Sequence, residues 1–253
     1  MNQLKKKMAE GQRPIGTFAV TGSYAMTEAT GMAGMDYVII DNEHSPVEAE
    51  TSERMIMAAE NTGMTALCRV REISRPAVLK LLDCGAEGLI VPGVKKVEEV
   101  KRLVEYAKYR PLGDRGYSTS RKDGFGYKYD MPLPELLRYF NDNVLVIPQC
   151  ETVEALESIE EITAIDGIDG IFVGPFDLSI AMGMPGAFDD PVFLAALKKV
   201  VYACRKAGKF SLIFTGDPKR VESYFSMGFD SVALGTDAGM YIAAVRSALD
   251  DIR

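Results

Sequence analysis

Histidine is almost missing from this chain: His44 is the only one in 253 residues. The four cysteines, Cys68, Cys84, Cys150 and Cys204, form no C-x-x-C pair and have no histidine nearby, so zinc-finger spacing is absent. Three of them lie in or beside apolar segments, where an inert buried thiol is the expected role. Long apolar runs are also missing. None approaches the roughly 20 residues of a membrane-spanning helix, and Met1–Met8 lacks the apolar core of a signal peptide. Positive charge is in deficit, with 29 Lys and Arg against 36 Asp and Glu and a net charge of −7. The concentrated basic surface that phosphate binding demands is therefore not there. Neither nucleic acid nor membrane is an expected partner, and the cytoplasm is the expected compartment.

What the chain does have is apolar material, 47% of its residues, ample for a sizeable core. Short apolar runs at 15–20, 36–40, 65–70, 88–92, 144–150, 170–173, 210–214 and 231–234 read as strands buried on both faces. Helix-like stretches at 23–33, 46–60, 75–83, 97–108, 133–141, 153–162, 191–207, 218–227 and 238–252 fall between and after them. Eight such βα units in about 250 residues predict a TIM (β/α)8 barrel over 1–253 as one domain, with a doubly wound sheet as the rival. An additional N-terminal helix and a C-terminal helix in oligomer contacts complete the expected α/β fold. Gly31, Gly63, Gly85, Gly208 and Gly228 are expected at left-handed helix ends. One phrase recurs, Ala33-Gly34-Met35-Asp36, Cys84-Gly85-Ala86-Glu87-Gly88 and Met227-Gly228-Phe229-Asp230, as a shared form of helix-to-strand turn. The irregular stretch 110–130 reads as a lid or an interface loop.

In such a barrel the functional residues follow the strands. Strand two ends in Asp41, Glu43 and His44, strand three carries Arg69 and Arg71, and strand five ends in Gln149 and Glu151. Strand six runs into Gly174-Pro175-Phe176-Asp177, strand seven delivers Phe214, and strand eight Gly235-Thr236-Asp237. A lone histidine in a polar loop is commonly a surface residue; acids following several strands in the same way turn this one toward a site. Glu151 and Asp177 follow neighbouring strands, about 4.8 Å apart, so both can reach one ion. Two carboxylates with waters and substrate oxygens are a usual seat for Mg²⁺ or Mn²⁺. Taken singly, Asp177 reads better as a helix N-cap and Glu151 as a first-turn acid; it is the two together, with an arginine and a histidine across the same mouth, that point to an ion.

Asp41-Asn42-Glu43-His44, Gln149-Cys150-Glu151-Thr152 and Gly174-Pro175-Phe176-Asp177-Leu178-Ser179, in this order and spacing, resemble the HpcH/HpaI aldolases, from Gly16 to the last strand. The resemblance implies a class II aldehyde-lyase that needs Mg²⁺, Mn²⁺ or Co²⁺ and cleaves a 4-hydroxy-2-oxo acid to pyruvate and an aldehyde. It implies Glu151 and Asp177 as metal ligands, with Gln149, Gly174, Pro175, Phe176 and Asp177 on the substrate. His44 would be the base and Arg69 the enolate stabiliser, with Asp41 beside them. Asp83 would raise the basicity of the histidine; because it ends a helix running against the strands, it should lie at the far face and act from a neighbouring subunit. A homo-oligomer, a hexamer as in relatives, follows. Phe18 is in keeping with the family, whereas Phe214 is bulkier than the usual aliphatic residue and could narrow the aldehyde pocket.

Three rivals stand beside this reading. A lysine Schiff base also makes pyruvate enamines, but no lysine follows strand five or six, and Lys95 and Lys96 open a helix. A citryl-CoA-lyase-like enzyme would need a basic groove for CoA. A catalytically silent keto-acid-binding oligomer would keep the pocket without turnover.

Overall fold

Runs rich in Val, Ile, Leu and Phe become strands here because both of their faces are covered. The computed structural model describes residues 2–252, and its eight strands close into a parallel barrel in sequence order. They are β1 (Ile15–Ala19), β2 (Tyr37–Asp41), β3 (Thr65–Arg69), β4 (Gly88–Val91), β5 (Leu145–Cys150), β6 (Gly170–Val173), β7 (Phe210–Thr215) and β8 (Ser231–Thr236). β8 pairs back onto β1, which rules out the doubly wound rival. The period of two along each strand sorts side chains into two cores. Phe18, Tyr37, Ile39, Leu67, Ile90, Ile147, Phe172 and Leu212 fill the barrel, while Val38, Ile40, Cys68, Leu89, Val146 and Ile213 pack outward against the helices.

Helix α1 (Gln3–Ala9) closes the bottom of the barrel with Leu4 and Met8, which belong to the interior cluster. The expected N-terminal helix is thus a plug. The other helices are α2 (Tyr24–Met32), α3 (Ala49–Asn61), α4 (Arg75–Asp83), α5 (Val97–Ala107), α6 (Leu133–Asn143), α7 (Val153–Glu157), α8 (Ile159–Thr163), α9 (Pro175–Ala181), α10 (Pro191–Ala207), α11 (Val221–Met227) and α12 (Asp237–Asp250). The stretch 153–162, expected as one helix, breaks at Ser158, and 46–60 turns helical only at Ala49. α9, expected only where Asp177 is read as an N-cap, begins earlier, at Pro175. α12 touches β1, β8 and α2, yet Tyr241, Ile242, Val245 and Leu249 along it are exposed. No helix among the described residues is long and apolar enough to cross a membrane.

The recurring turn phrase has a definite job. Asp36, Glu87 and Asp230 each precede an even-numbered strand, and each carboxylate accepts the N–H of Ile15, Ala66 and Ser211 on the preceding odd strand, at 2.8, 3.1 and 2.7 Å. The acid's own N–H returns a bond to the same residue's carbonyl, a two-bond clamp. A fourth copy, Asp166-Gly167-Ile168-Asp169, clamps Val146 in the same way at 3.0 Å. Every clamp is entered through a glycine of positive φ (Gly34, Gly85, Gly167, Gly228), where a Cβ would be strained. Gly31 departs from expectation: it lies inside α2, and a Cβ there would collide with Thr62, so its role is close helix packing and Gly34 makes the turn.

The 110–130 stretch is not a lid over this chain's own strand ends. Arg121 donates to the carbonyl of Cys84 at 3.2 Å, and Lys122 Nζ is 3.2 Å from Asp83. Both partners lie at the end of α4, on the face opposite the strand C-termini, so the loop covers the bottom. Because α1 supplies the bottom of the interior core, Leu4→Ala is expected to cost about 2–5 kcal/mol, read as a lowered urea midpoint; an unchanged midpoint contradicts the plug.

Candidate active site

The register places the first cluster. Asp41, last in β2, pairs with Arg69, last in β3, and both point inward. Arg69 Nε and Nη2 meet Asp41 Oδ1 and Oδ2 at 2.9 and 2.7 Å, and Nη1 lies 3.1 Å from Glu43 Oε2. All three guanidinium nitrogens therefore face carboxylates, and the plane sits 4.9 Å from the centre of the Phe18 ring. Burial alone would push the Asp41 carboxyl up. The hydrogen bonds and charge of Arg69, with the N–H groups of Glu43 and His44, outweigh it and hold the pKa below the ordinary value. Those two backbone bonds, at 3.0 and 3.3 Å, fold the turn that presents His44. The imidazole is exposed, with Nε2 3.8 Å from Glu43 Oε2.

The second cluster follows β5 and β6. Gln149 points inward; its Nε2 donates to Glu151 Oε2, and Glu151 Oε1 accepts the N–H of Gly93 at 2.6 Å. Glu151 precedes Thr152, the N-cap of α7, so it is not a first-turn acid. Asp177 is likewise no N-cap: Gly174 caps α9, Pro175 is its first residue, and Asp177 falls in the first turn. Burial pushes the Glu151 carboxyl up, and the charges of Asp177 and Glu43 push it further, against the pull of Gly93 and Arg69. Glu43 is raised by burial too, with repulsion from Asp41 and Asp177. The acids after β2, β5 and β6 thus share one space with a deficit of positive charge.

A cavity of about 270 Å³ opens at this end of the barrel. Of the residues expected from sequence, Phe18, Asp41, His44, Arg69, Gln149, Gly174, Pro175, Phe176, Asp177 and Phe214 line it. Glu151, 8% exposed, stands behind Gln149 rather than in the lining. Asp83 is not brought to the site: it lies across the barrel, its Oδ1 2.9 Å from Arg115 Nη2 and 3.2 Å from Lys122 Nζ. A larger cavity of about 390 Å³, beside Arg71 and Lys80 between α3 and α4, contains none of the residues expected to act as base, enolate stabiliser, substrate contact or metal ligand. Val20 and Phe172 were missed from sequence, and Glu43 and Thr236 were placed at strand ends without a role. Glu43 joins Arg69 to His44, and Val20, Phe172 and Thr236 complete the wall. Inward parity along β6 could have found Phe172, two residues before Gly174.

Two features suit a divalent cation between Glu151 and Asp177. Gln149 Oε1 is buried without a hydrogen-bond partner, an acceptor left open. A Cβ on Gly174 would stand 2.9 Å from both Gln149 Nε2 and Glu151 Oε2, so glycine keeps the space beside the carboxylate clear. Hard oxygen donors of this kind match Mg²⁺ or Mn²⁺ rather than a thiophilic metal.

A closed parallel barrel with acids, an arginine and a histidine at its strand ends defines an enzyme of the (β/α)8 class. Residues 14–244 match the family model described as HpcH/HpaI aldolase/citrate lyase, and the chain belongs to that family. It is 32% identical over 240 residues to a hydroxypyruvate/pyruvate aldolase of Paraburkholderia phytofirmans, covering 95% of this chain and 89% of the relative. It is 31% identical over 254 residues to a 5-keto-4-deoxy-D-glucarate aldolase of an Enterobacter species, covering 100% and 97%. Among solved structures, an HpcH/HpaI aldolase from Desulfitobacterium hafniense superposes with TM-score 0.92 at 29% identity, covering 100% and 97%. The citrate synthase SbnG superposes with TM-score 0.88 at 27% identity, covering 98% and 96%.

Asp41→Asn removes one charge of the buried pair and is expected to cost on the order of 3 kcal/mol at pH 7. Because the folded pKa of Asp41 is lowered, its contribution is present above the unfolded value near about 4 and is lost as pH falls through the folded value. The stability gap between wild type and variant, measured by urea titration, should close below that pH; a gap independent of pH contradicts the pairing.

Proposed function

We propose that this protein is a divalent-metal-dependent pyruvate aldolase that reversibly cleaves a 4-hydroxy-2-oxo acid to pyruvate and an aldehyde. The observation that carries the reading is the meeting of Glu151, Asp177, Arg69 and His44 at one barrel mouth from four different strand ends. Glu151 and Asp177 would hold Mg²⁺, Mn²⁺ or Co²⁺, which when bound supplies Lewis-acid polarisation of a keto oxygen. Gln149 and the free N–H groups in the first turn of α9, around Phe176 and Asp177, position the keto acid and its carboxylate. In cleavage, the C4 hydroxyl proton passes to the His44 imidazole, directly or through a water, as the C3–C4 bond breaks and the aldehyde forms. The electron pair stays on the pyruvate fragment as an enolate, whose oxygen Arg69 stabilises while Asp41 and Glu43 fix its plane. Protonation at C3 then gives pyruvate, and the reverse path is aldol addition.

The exposure of His44 and the remoteness of Asp83 agree with a site completed by a second copy, whose Asp83 would reach this imidazole and raise its basicity. We take the assembly to be a homo-oligomer, a hexamer in the family pattern, with the whole of 1–253 acting as one catalytic domain in the cytoplasm. Lysine chemistry is disfavoured because no lysine lines the cavity and Lys95 and Lys96 are exposed. CoA thioester chemistry is disfavoured because Arg69 is the only arginine or lysine in the lining of this chain's cavity. A silent binding protein would not require the base.

EDTA is expected to abolish pyruvate release from a hydroxy-oxo acid, with Mn²⁺ restoring it, and borohydride with pyruvate should trap no adduct. His44→Ala should lower kcat by about 10²–10⁴-fold while the melting temperature holds. Near-wild-type turnover of that variant, or full activity in EDTA, overturns the reading.

A further inference from the structure

Asp83 is gripped by one oxygen only. Arg115 Nη2 donates to its Oδ1 at 2.9 Å and Lys122 Nζ lies 3.2 Å from the same atom, while Oδ2 accepts no bond from the described residues. Both cations are buried, with 1% and 4% of their side chains exposed, and the carboxylate, 27% exposed, is the outermost part of the cluster. Each cation is also fixed from behind. The Arg115 guanidinium lies 4.9 Å from the centre of the Tyr109 ring, and its backbone N–H donates to the Lys108 carbonyl at 3.0 Å. That close approach needs Gly113, where a Cβ would stand 2.4 Å from the same carbonyl. The Lys122 ammonium donates to the Ser118 carbonyl and the Ser120 hydroxyl at 2.6 and 2.8 Å. Asp123, 1% exposed, accepts the Tyr117 hydroxyl and the N–H groups of Ser120 and Gly126 at 2.7, 2.9 and 3.1 Å, which closes the loop around that ammonium. Burial pushes the Lys122 ammonium toward losing its proton, and the charge of Asp83 pulls it back. An ion pair built for stability alone gains most from the two-oxygen fork that Arg69 and Asp41 adopt. Here two cations crowd one oxygen and the other faces outward.

We propose that Arg115 and Lys122 are positioning residues that act across a subunit boundary: they aim Asp83 Oδ2 at the His44 imidazole of a second copy, and the 113–126 segment is the scaffold for that aim. The proposal rests on the aldolase reading, in which Asp83 serves a partner copy's base, and adds which groups make that carboxylate fit for the task. Charge favours the meeting of these two surfaces. The cluster carries two cations for one acid, and the mouth it would meet carries Asp41, Glu43, Glu151 and Asp177 around a single Arg69. An orienting carboxylate acts through direction: an acceptor displaced by about 1 Å leaves the ring misaligned with the substrate hydroxyl, a loss on the order of 10²-fold in rate. The loop that lies away from its own barrel mouth thereby has its function at another.

The test follows pyruvate release with Mn²⁺ from the best-cleaved of the aldol products of pyruvate with glycolaldehyde, propanal and succinic semialdehyde. Lys122→Met removes the charge and keeps an apolar stem beside the Tyr117 ring, whose centre lies 5.0 Å from Nζ. Its kcat is expected to fall by about 10- to 100-fold with KM held within about twofold. The decisive arm co-expresses Lys122→Met and His44→Ala copies under two tags and isolates oligomers that carry both. A site that takes His44 from one copy and Lys122 from the next is intact in about one arrangement of four, so the hybrids should reach about a quarter of wild-type turnover, several-fold above the mean of the two parents. Should Lys122→Met fail to assemble, Tyr117→Phe, which deletes one hydroxyl and unlatches Asp123, takes its place in the same mixture. Hybrids no more active than the mean of their parents confine Lys122 to its own copy and overturn the proposal, as does an unchanged kcat in Lys122→Met. Failure to recover any mixed oligomer beside an active wild type overturns it as well and leaves the aldolase chemistry standing. A wild type that cleaves none of these acids overturns the aldolase reading beneath it.

Discussion

Repulsion among carboxylates at the barrel mouth is the constraint on which the rest of this site depends. Asp41, Glu43, Glu151 and Asp177 converge on a region whose guanidinium, Arg69, is already paired with the first two. Asp41 is thereby held ionised, while Glu43 and Glu151, buried and facing further acids, are pushed toward protonation. Acids in that position are relieved either by taking up protons or by sharing a cation, and oxygen donors with an open space beside them favour the second. The same pairing gives Arg69 its fixed plane.

The scaffold divides its labour between its two ends. At the bottom, α1 plugs the interior and four acids clamp each odd strand to the even strand that follows it, so stability there is built from repeated, satisfied bonds. At the top, strand register delivers side chains whose charges are not mutually satisfied. Gln149 keeps a bare buried oxygen, and the His44 imidazole is met only by Glu43, 3.8 Å away, among the described residues. Loss of local satisfaction at one face and its surplus at the other is how a (β/α)8 barrel keeps chemistry apart from folding.

Much of this was legible before coordinates, for physical reasons. Apolar runs of four to six residues covered on both faces could only be buried strands, and acids directly after them had to fall at one end. Ten of the candidate side chains and turns accordingly meet in one cavity. The remainder depended on facts that spacing does not encode. Glu43 was noted beside His44 but its bridge to Arg69 needed the turn folded by Asp41. The clamp role of Asp36, Glu87, Asp169 and Asp230 lay hidden in a phrase that looked like turn punctuation, since its hydrogen bonds cross to a strand some twenty residues earlier. α9 begins at Pro175, earlier than a helix capped by Asp177 would, because Gly174-Pro175 reads as a loop although proline is well suited to a first helical position. Gly31 was taken for a helix end where its small size serves contact with Thr62.

The account stands or falls on a cation shared by two acids. Titration of the purified protein with Mn²⁺ in the presence of pyruvate, followed by water-proton relaxation or calorimetry, measures that directly. One site per chain is expected, weakened at least about a hundredfold in both Glu151→Gln and Asp177→Asn while their folds persist. Mn²⁺ binding that is unchanged in these variants, or absent from the wild type, would contradict it.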